Sequence, residues 1–600
     1  MDLLSYTFKK GCPLPLGVSW IQSSNTIQVA VDVGKAKKCR LKISAKGKKA
    51  IYIPMYSMEE YGVPNIFSVL ISGDNIAEFF HGREYIIEAD KKEIADPYAK
   101  WTSGREKFGK STENHKIGHR FHFESFDWSG EKRRNFSWQD SILYQCHVRG
   151  FTKHKSSEVS HSGTFLGVTE KIKHLKKLGI NTLLFLPLYD FNEIIDSGSK
   201  KVNYWGYTKD SYYFAPKASY GTTEHSPVYE CKQMIKTLHQ NGFQVLLDMH
   251  FEEKTPDFIL ECLRYYMIDF HIDGFLINQN VVPSELLIRD PIIGNAKLLG
   301  TSWEHVGTAY RNQHLASFND EFMTNARCFL KGDERQVFGF YQHFKEKGED
   351  TPAIHYITQI NGFTMQDLVS FDIKHNEDNG ERNEDGTEYN YSWNCGQEGS
   401  TQRKKVREIR KKQVKNAMSM LLLSLAAPMI LAGDEFGNSQ KGNNNAYCQD
   451  NPISWLNWSL LDKNSDIFEF TRKLISFRKE HPIYQMKKYQ GMDYKGYGVP
   501  DISCHGIEPW RSSFVNYSRE LGILFYGSYL PTEKDMDSLY IVFNMHWEKQ
   551  TFFLPQISKT SSKKEWTVLF STSEVKSMGK HGKYVLDSRS IAVFSLLDDS

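Results

Sequence analysis

The sequence predicts an α/β chain: a (β/α)8 barrel flanked by an N-terminal β-sandwich and a C-terminal antiparallel β-domain. Three observations predict it. Up to about residue 130, short runs alternate apolar and polar positions. From about 140, short buried-type apolar runs alternate with helical stripes. After about 485 the strand-like alternation returns. The expected domains are therefore 1–130, 131–485 and 486–600, and 600 residues suffice for cores of that size.

Taken in order, Ile27-Gln28-Val29-Ala30-Val31-Asp32-Val33 and Tyr85-Ile86-Ile87-Glu88-Ala89 read as strands of the first domain. The polar patch 129–135 is its expected boundary. Ile142-Leu143-Tyr144 opens the first barrel strand. Val168, Ile172, Leu175 and Leu178 form one helical stripe, with Gly179 as its C-terminal cap. Residues 181–187 read as a buried strand, Met234, Ile235 and Leu238 as the next helix, and 244–248 as the next strand. Further strands are expected at 273–278, 297–301, 314–317, 354–359 and 428–432, which brings the barrel to eight. The longest apolar stretch, 417–433, contains Pro428 and is shorter than the ~20 residues a spanning helix needs, so it reads as a buried helix running into a buried strand. A helix at 467–479 closes the barrel, and 522–526, 539–543 and 591–595 are strands of the last domain.

A net charge of +3 gives no polyelectrolyte signal and argues against nucleic acid as a partner. Aromatics make up 14% of the chain, which suits barrel and sandwich cores first and sugar stacking second. Nine scattered cysteines without a CxxC pair read as reduced thiols. With no basic-then-apolar leader and no span, the expected location is cytoplasmic and no membrane partner is expected. No cofactor is implied. Asp248, Asp434 and Glu435 lack the spacing of a Ca²⁺ loop, so no metal is expected.

Several long stretches are similar to isoamylase-type and bacterial glycogen debranching enzymes of the α-amylase superfamily (glycoside hydrolase family 13). They are Tyr144-Gln145-Cys146-His147-Val148-Arg149-Gly150-Phe151-Thr152, Tyr204-Trp205-Gly206-Tyr207 with Phe214-Ala215-Pro216-Lys217, and Gly433-Asp434-Glu435-Phe436-Gly437 with 442–451. Residues 389–396 and 498–503 belong to the same pattern, and the resemblance runs from Pro15 to the last domain. It implies a starch- or glycogen-binding type of N-terminal sandwich, the barrel, and work on α-1,6 branches of glycogen or starch.

Retaining glycosidases need two carboxyl groups about 5 Å apart, a nucleophile and a general acid. In the resembled family the nucleophile ends an Asp-Gly-Phe-Arg-Phe-Asp strand. Here Asp273-Gly274-Phe275-Leu276-Ile277-Asn278 puts Asn278 at the nucleophile and Leu276 at its supporting Arg. Thr301 stands at the general acid, and Ile360 and Asn361 stand at the His and the third acid. The family's Asp-Val-Val-Phe-Asn-His reads Asp248-Met249-His250-Phe251-Glu252-Glu253, so only Asp248 persists. The family's long excursion after this point is replaced by Glu253-Lys254-Thr255-Pro256 leading straight into a helix.

No catalytic residue is therefore expected, and the chain reads as a pseudoenzyme that binds α-glucan or partners an active isoamylase-type relative. Two rivals remain: a relocated mechanism on Glu252, Glu253 or Glu304, and a purely structural amylase-like scaffold. Trp205, Tyr207, Asp248 and Trp303 are the candidate sugar contacts, with core packing the alternative for the aromatics. His250 is either a cleft group or a packed histidine. The run Arg403-Lys404-Lys405-Val406-Arg407 with Arg410-Lys411-Lys412 reads as a solvated helix face.

Overall fold

A computed structural model describes residues 6–44, 50–110, 118–195, 201–278, 281–303, 314–348, 351–512, 514–530, 537–557, 565–575 and 582–596. The N-terminal strands are β1 (Thr7–Lys9), β2 (Gly17–Ile21), β3 (Thr26–Asp32), β4 (Cys39–Ser44), β5 (Ile51–Met58), β6 (Val63–Ser72), β7 (Glu84–Ala89), β8 (Lys92–Ile94), β9 (Thr102–Ser103) and β10 (Gly118–Arg120). They run as one antiparallel path, β2-β3-β6-β5-β4-β7-β10-β9, with β1 on β6 and β8 on β7. The path folds over an apolar core that includes Ile27, Val29, Leu41, Val69 and Ile87. Those residues come from the inward-facing positions of the alternating runs.

Eight strands close the barrel: β11 (Leu143–Cys146), β12 (Thr182–Phe185), β15 (Gln244–Met249), β16 (Gly274–Ile277), β17 (Lys297–Gly300), β18 (Leu315–Phe318), β19 (Ala353–Tyr356) and β20 (Ala427–Leu431). The hairpin β13 (Tyr189–Phe191) and β14 (Ser211–Pro216) is inserted after β12. Leu143, Leu184, Leu246, Leu299, Ala316, Ile354, Ala427 and Met429 fill the barrel, as side chains from successive strands do in this architecture. Trp138 joins this interior cluster from the chain just before β11, donating its indole N–H to the His314 carbonyl at 2.9 Å. Gly274 permits the β16–β17 pairing, since a Cβ there would lie 2.2 Å from the Lys297 carbonyl oxygen. The last sheet runs β21 (Ile502–His505), β22 (Glu520–Phe525), β23 (Ser538–Asn544), β27 (Ser590–Leu596), β25 (Trp566–Ser571), beside the pair β24 (Gln550–Phe553) and β26 (Lys583–Leu586). Among the described residues no helix is long and apolar enough to cross a membrane.

Two local readings need correction. The stripe from Val168 to Leu178 is two helices, Phe165–Glu170 and Ile172–Leu178, because the chain turns at Lys171; Gly179 does cap it, at φ 96°. The basic run lies in the helix Lys404–Leu423 but is not a uniform solvated face. Arg410 is buried against backbone carbonyls, Lys412 reaches the Ser588 carbonyl, and Lys411 pairs with Asp466. At the expected boundary, 129–135, side chains tie the chain down. Glu131 bridges two imidazoles, His239 Nδ1 and His271 Nδ1, each at 2.6 Å, and His239 Nε2 contacts Asp273 at 2.9 Å. Burial opposes the charge on His239, but Asp273 and Glu131 outweigh it and hold the imidazolium above its usual range.

Candidate functional site

The barrel mouth lies at the C-terminal ends of the strands, where this architecture carries its reactive groups. Asp248, near the end of β15, is only 5% exposed. It sits in register beside Leu276 of β16. Leu276 packs against the barrel's apolar interior, so the neighbour that would be a cation in the resembled family is a hydrocarbon here. Tyr207 donates its hydroxyl to Asp248 at 2.5 Å. Burial pushes the Asp248 carboxyl up to about 7, and the Tyr207 hydrogen bond offsets only part of that. Burial thus brings the titration of Asp248 up toward neutrality.

Asn278 follows directly on β16. Its amide makes a two-point contact with one residue: Oδ1 accepts from the Phe251 N–H at 3.0 Å, and Nδ2 donates to the Phe251 carbonyl at 2.7 Å. This two-bond ring requires a donor and an acceptor on the same side chain, which an ionised carboxylate cannot supply. Thr301, one residue past β17, is exposed, and Asn361 is exposed on the loop after β19. Ile360 packs with Leu186, Tyr204, Trp205, Tyr447 and Trp455.

Among the described residues, the two acids that follow His250 each have an ion-pair partner. Glu252 pairs with His250 at 3.2 Å, and Glu253, with φ 52°, reaches the exposed Lys209 at 3.6 Å. His250 is half-exposed and tilts against the Tyr207 ring at 4.8 Å, so it is a mouth group and not a packed core histidine. Glu304 lies outside the described residues. The connection from β15 to the helix Pro256–Asp269 spans residues 250–255 only, with Thr255 capping the helix.

Two of the candidate sugar contacts are packing residues. Trp303 is 7% exposed and donates its indole N–H to the Ala316 carbonyl at 2.7 Å. Trp205 is 5% exposed within an aromatic cluster. Neither offers an open ring face. Tyr207 and Asp248 are brought together as a pair.

The arc after β19 and β20 carries a network that the sequence reading quoted only in part, as motif residues and as Asp434, and gave no site role. Asn376 and Asn444 exchange hydrogen bonds at 2.8 and 3.0 Å, and Asn379 binds Asp385, Asn443 and Gln449. Arg149 and Asp450 form a two-point ion pair at 2.7 and 2.8 Å. Asp434 accepts from Thr358 and from the Met365 N–H, and burial pushes its carboxyl up to about 7. The cluster of Asn and Asp at 376–390 and 443–450 was the available signal, since amides in such density must satisfy one another when buried. Among the described residues no group of three or more His, Cys, Asp or Glu side chains is disposed to hold a metal ion.

Comparison with known proteins agrees with this geometry. Residues 145–257 match the family described as "Alpha amylase, catalytic domain". The chloroplastic isoamylase 1 of Arabidopsis thaliana is 30% identical, the match covering 73% of this chain and 70% of that protein. The glycogen operon protein GlgX homolog of Haemophilus influenzae is also 30% identical, over 79% of this chain and 85% of that protein. Among solved structures, the type I pullulanase of Bacillus subtilis complexed with maltose superposes with a TM-score of 0.70 over 97% of this chain and 85% of that chain. At 18% identity that likeness speaks for the fold alone.

Proposed function

This chain belongs to the isoamylase and glycogen-debranching branch of the α-amylase superfamily, and from that premise we infer that it is a pseudoenzyme of α-glucan metabolism, one that binds glycogen or starch without cleaving it. The observation that carries the reading is the closed amide ring between Asn278 and the Phe251 backbone. An amide oxygen is a poor nucleophile, and this one is already an acceptor for a backbone N–H. Asp248 supports the reading in a second way: burial favours its neutral form, which stabilises an oxocarbenium ion less than a carboxylate would. Thr301 cannot donate a proton near neutrality as a tuned Glu does. The short connection 250–255 leaves the mouth without one wall, which weakens substrate positioning.

Tyr207 with Asp248 is the polar pair through which a glucan hydroxyl would be held. The division into domains 1–130, 131–485 and 486–600 is part of the same reading, with the first as a second glucan contact. So is a cytoplasmic setting, which the nine free cysteines favour. An active isoamylase-type relative is the protein partner that suits an inactive copy of the scaffold.

Purified protein incubated with glycogen or pullulan should release no reducing ends, while glycogen cast into a native gel should retard its migration. Turnover abolished by Glu252→Gln would instead establish a relocated mechanism. Unretarded migration would leave only the partner role. Leu276→Arg, Asn278→Asp, Thr301→Glu and Asn361→Asp made together should still give little activity, because the wall is absent; robust turnover would refute that account.

A further inference from the structure

A cavity of about 640 Å³ opens at one end of the N-terminal sandwich, far in sequence from the barrel mouth. Its origin is the path of β5. From Ile51 to Met55 this strand pairs with β4, and from Tyr56 onward it pairs with β6. Where β5 leaves one partner for the other, the sheet splits. Cys39, Met55 and Phe67 line the gap, at 6%, 6% and 5% exposure.

The rim is basic. Lys37, Lys38 and Lys91 are exposed cavity residues, and no ion pair engages them among the described residues. The two acids of the rim are committed. Asp90 accepts from the backbone N–H groups of Lys37 and Lys38, both at 3.0 Å. That clamp fixes the β7–β8 turn, where Asp90 and Lys91 adopt φ 46° and 67°, a region L residues enter only when held. Glu88 is paired with Arg40 at 2.6 Å, and the Arg40 guanidinium lies over the Tyr52 ring at 4.0 Å. The result is a flat stacked surface beside an apolar lining, under a rim on which four cations, Lys37, Lys38, Arg40 and Lys91, outnumber two acids, Glu88 and Asp90.

We propose that this cavity is a binding site for a nucleoside phosphate, its base laid on the Arg40–Tyr52 plane and the apolar lining, its phosphate against Lys37, Lys38 and Lys91. The volume lies within the ~300–1,000 Å³ range of small-molecule sites. A neutral glucan would leave the lysines unused, and a free phosphate would leave the apolar lining unused. A ligand that joins a planar apolar body to an anion uses both.

The test is calorimetric titration of the full-length protein with adenosine monophosphate, adenosine, inorganic phosphate and maltoheptaose, at low and raised salt. The nucleotide should bind saturably, at least about tenfold tighter than adenosine or phosphate, and weaken with salt. The Lys38→Glu/Lys91→Glu variant should lose about tenfold or more in affinity, and Tyr52→Ala a comparable factor. All three residues are exposed, so thermal midpoints without ligand should not move; if that of Tyr52→Ala does, the lysine variant alone decides. Three results would each overturn the proposal: no nucleotide binding, phosphate binding as tightly as nucleotide, or displacement of nucleotide by maltoheptaose.

Discussion

On the arc of the barrel mouth formed by β15, β16 and β17, the strand ends present Asp248, Leu276, Asn278 and Thr301. On the opposite arc, the loops after β19 and β20 interlock Asn376, Asn379, Asn443 and Asn444 and enclose the Arg149–Asp450 pair. Both arcs rest on the same eight-stranded support. They differ in what holds each group in place. On the second arc the interlocked amides satisfy one another, so a loss among them strands a partner. On the first arc nothing in the fold demands a carboxylate at 278 or 301. The residues found on this arc suit their neighbours: Leu276 lies on the apolar interior, and the Asn278 amide closes on a backbone.

The contrast can be broken or sharpened by substitution. The largest effect should come from the interlocked arc. Arg149→Ala leaves the half-buried Asp450 with only the Trp455 indole N–H as a side-chain donor and should destabilise by roughly 2–4 kcal/mol in denaturant titration; a loss below 1 kcal/mol would mean the arc is not held as described.

Next comes Asp248→Asn. The folded carboxyl is raised to about 7 from an ordinary 3.8. The stability it allows is therefore fully present below about 4 and lost as pH rises through about 7. The variant should match the parent in acid and exceed it at pH 8 by roughly 1–4 kcal/mol, and equal unfolding midpoints at pH 8 would count against a proton-bearing Asp248.

Asn278→Asp should cost about 1–3 kcal/mol at neutral pH, because a carboxylate oxygen then faces the Phe251 carbonyl. Protonation restores a donor, so the deficit should shrink on acidification. A deficit that grows in acid would point to a different partner. The smallest effect is Thr301→Glu, an exposed change that should stay within about 0.5 kcal/mol in the same titration.

Much of the barrel was legible in the sequence because its strands are continuous apolar runs ending in turn signals, and the barrel strands after 270 lie within three residues of the expected ends. The break at Lys171 was not legible, since Val168 to Leu178 keep a helical period straight through it. At the site, the identities at 276, 278, 301 and 361 could be read against the resembled family. Their engagement could not: the Asn278 amide is satisfied by a backbone 27 residues away, which no local pattern encodes. Trp303 and Trp205 show the same limit. A tryptophan near a barrel mouth stacks on sugar or fills a core according to which way it points, and both fill the core.

The Glu131 bridge to His239 and His271 has a kinetic consequence. It ties down a strap whose next residues, Lys132, Arg133 and Arg134, are exposed and are three successive trypsin sites. Cleavage there requires the strap to lift, an opening smaller than unfolding of either flanking body. Because the imidazolium of His239 helps to hold the bridge, its discharge on the alkaline side should quicken nicking at these three residues relative to other exposed lysines, while the thermal midpoint moves little. The strap would then act as a clock for local release, one that runs independently of whatever the barrel mouth binds.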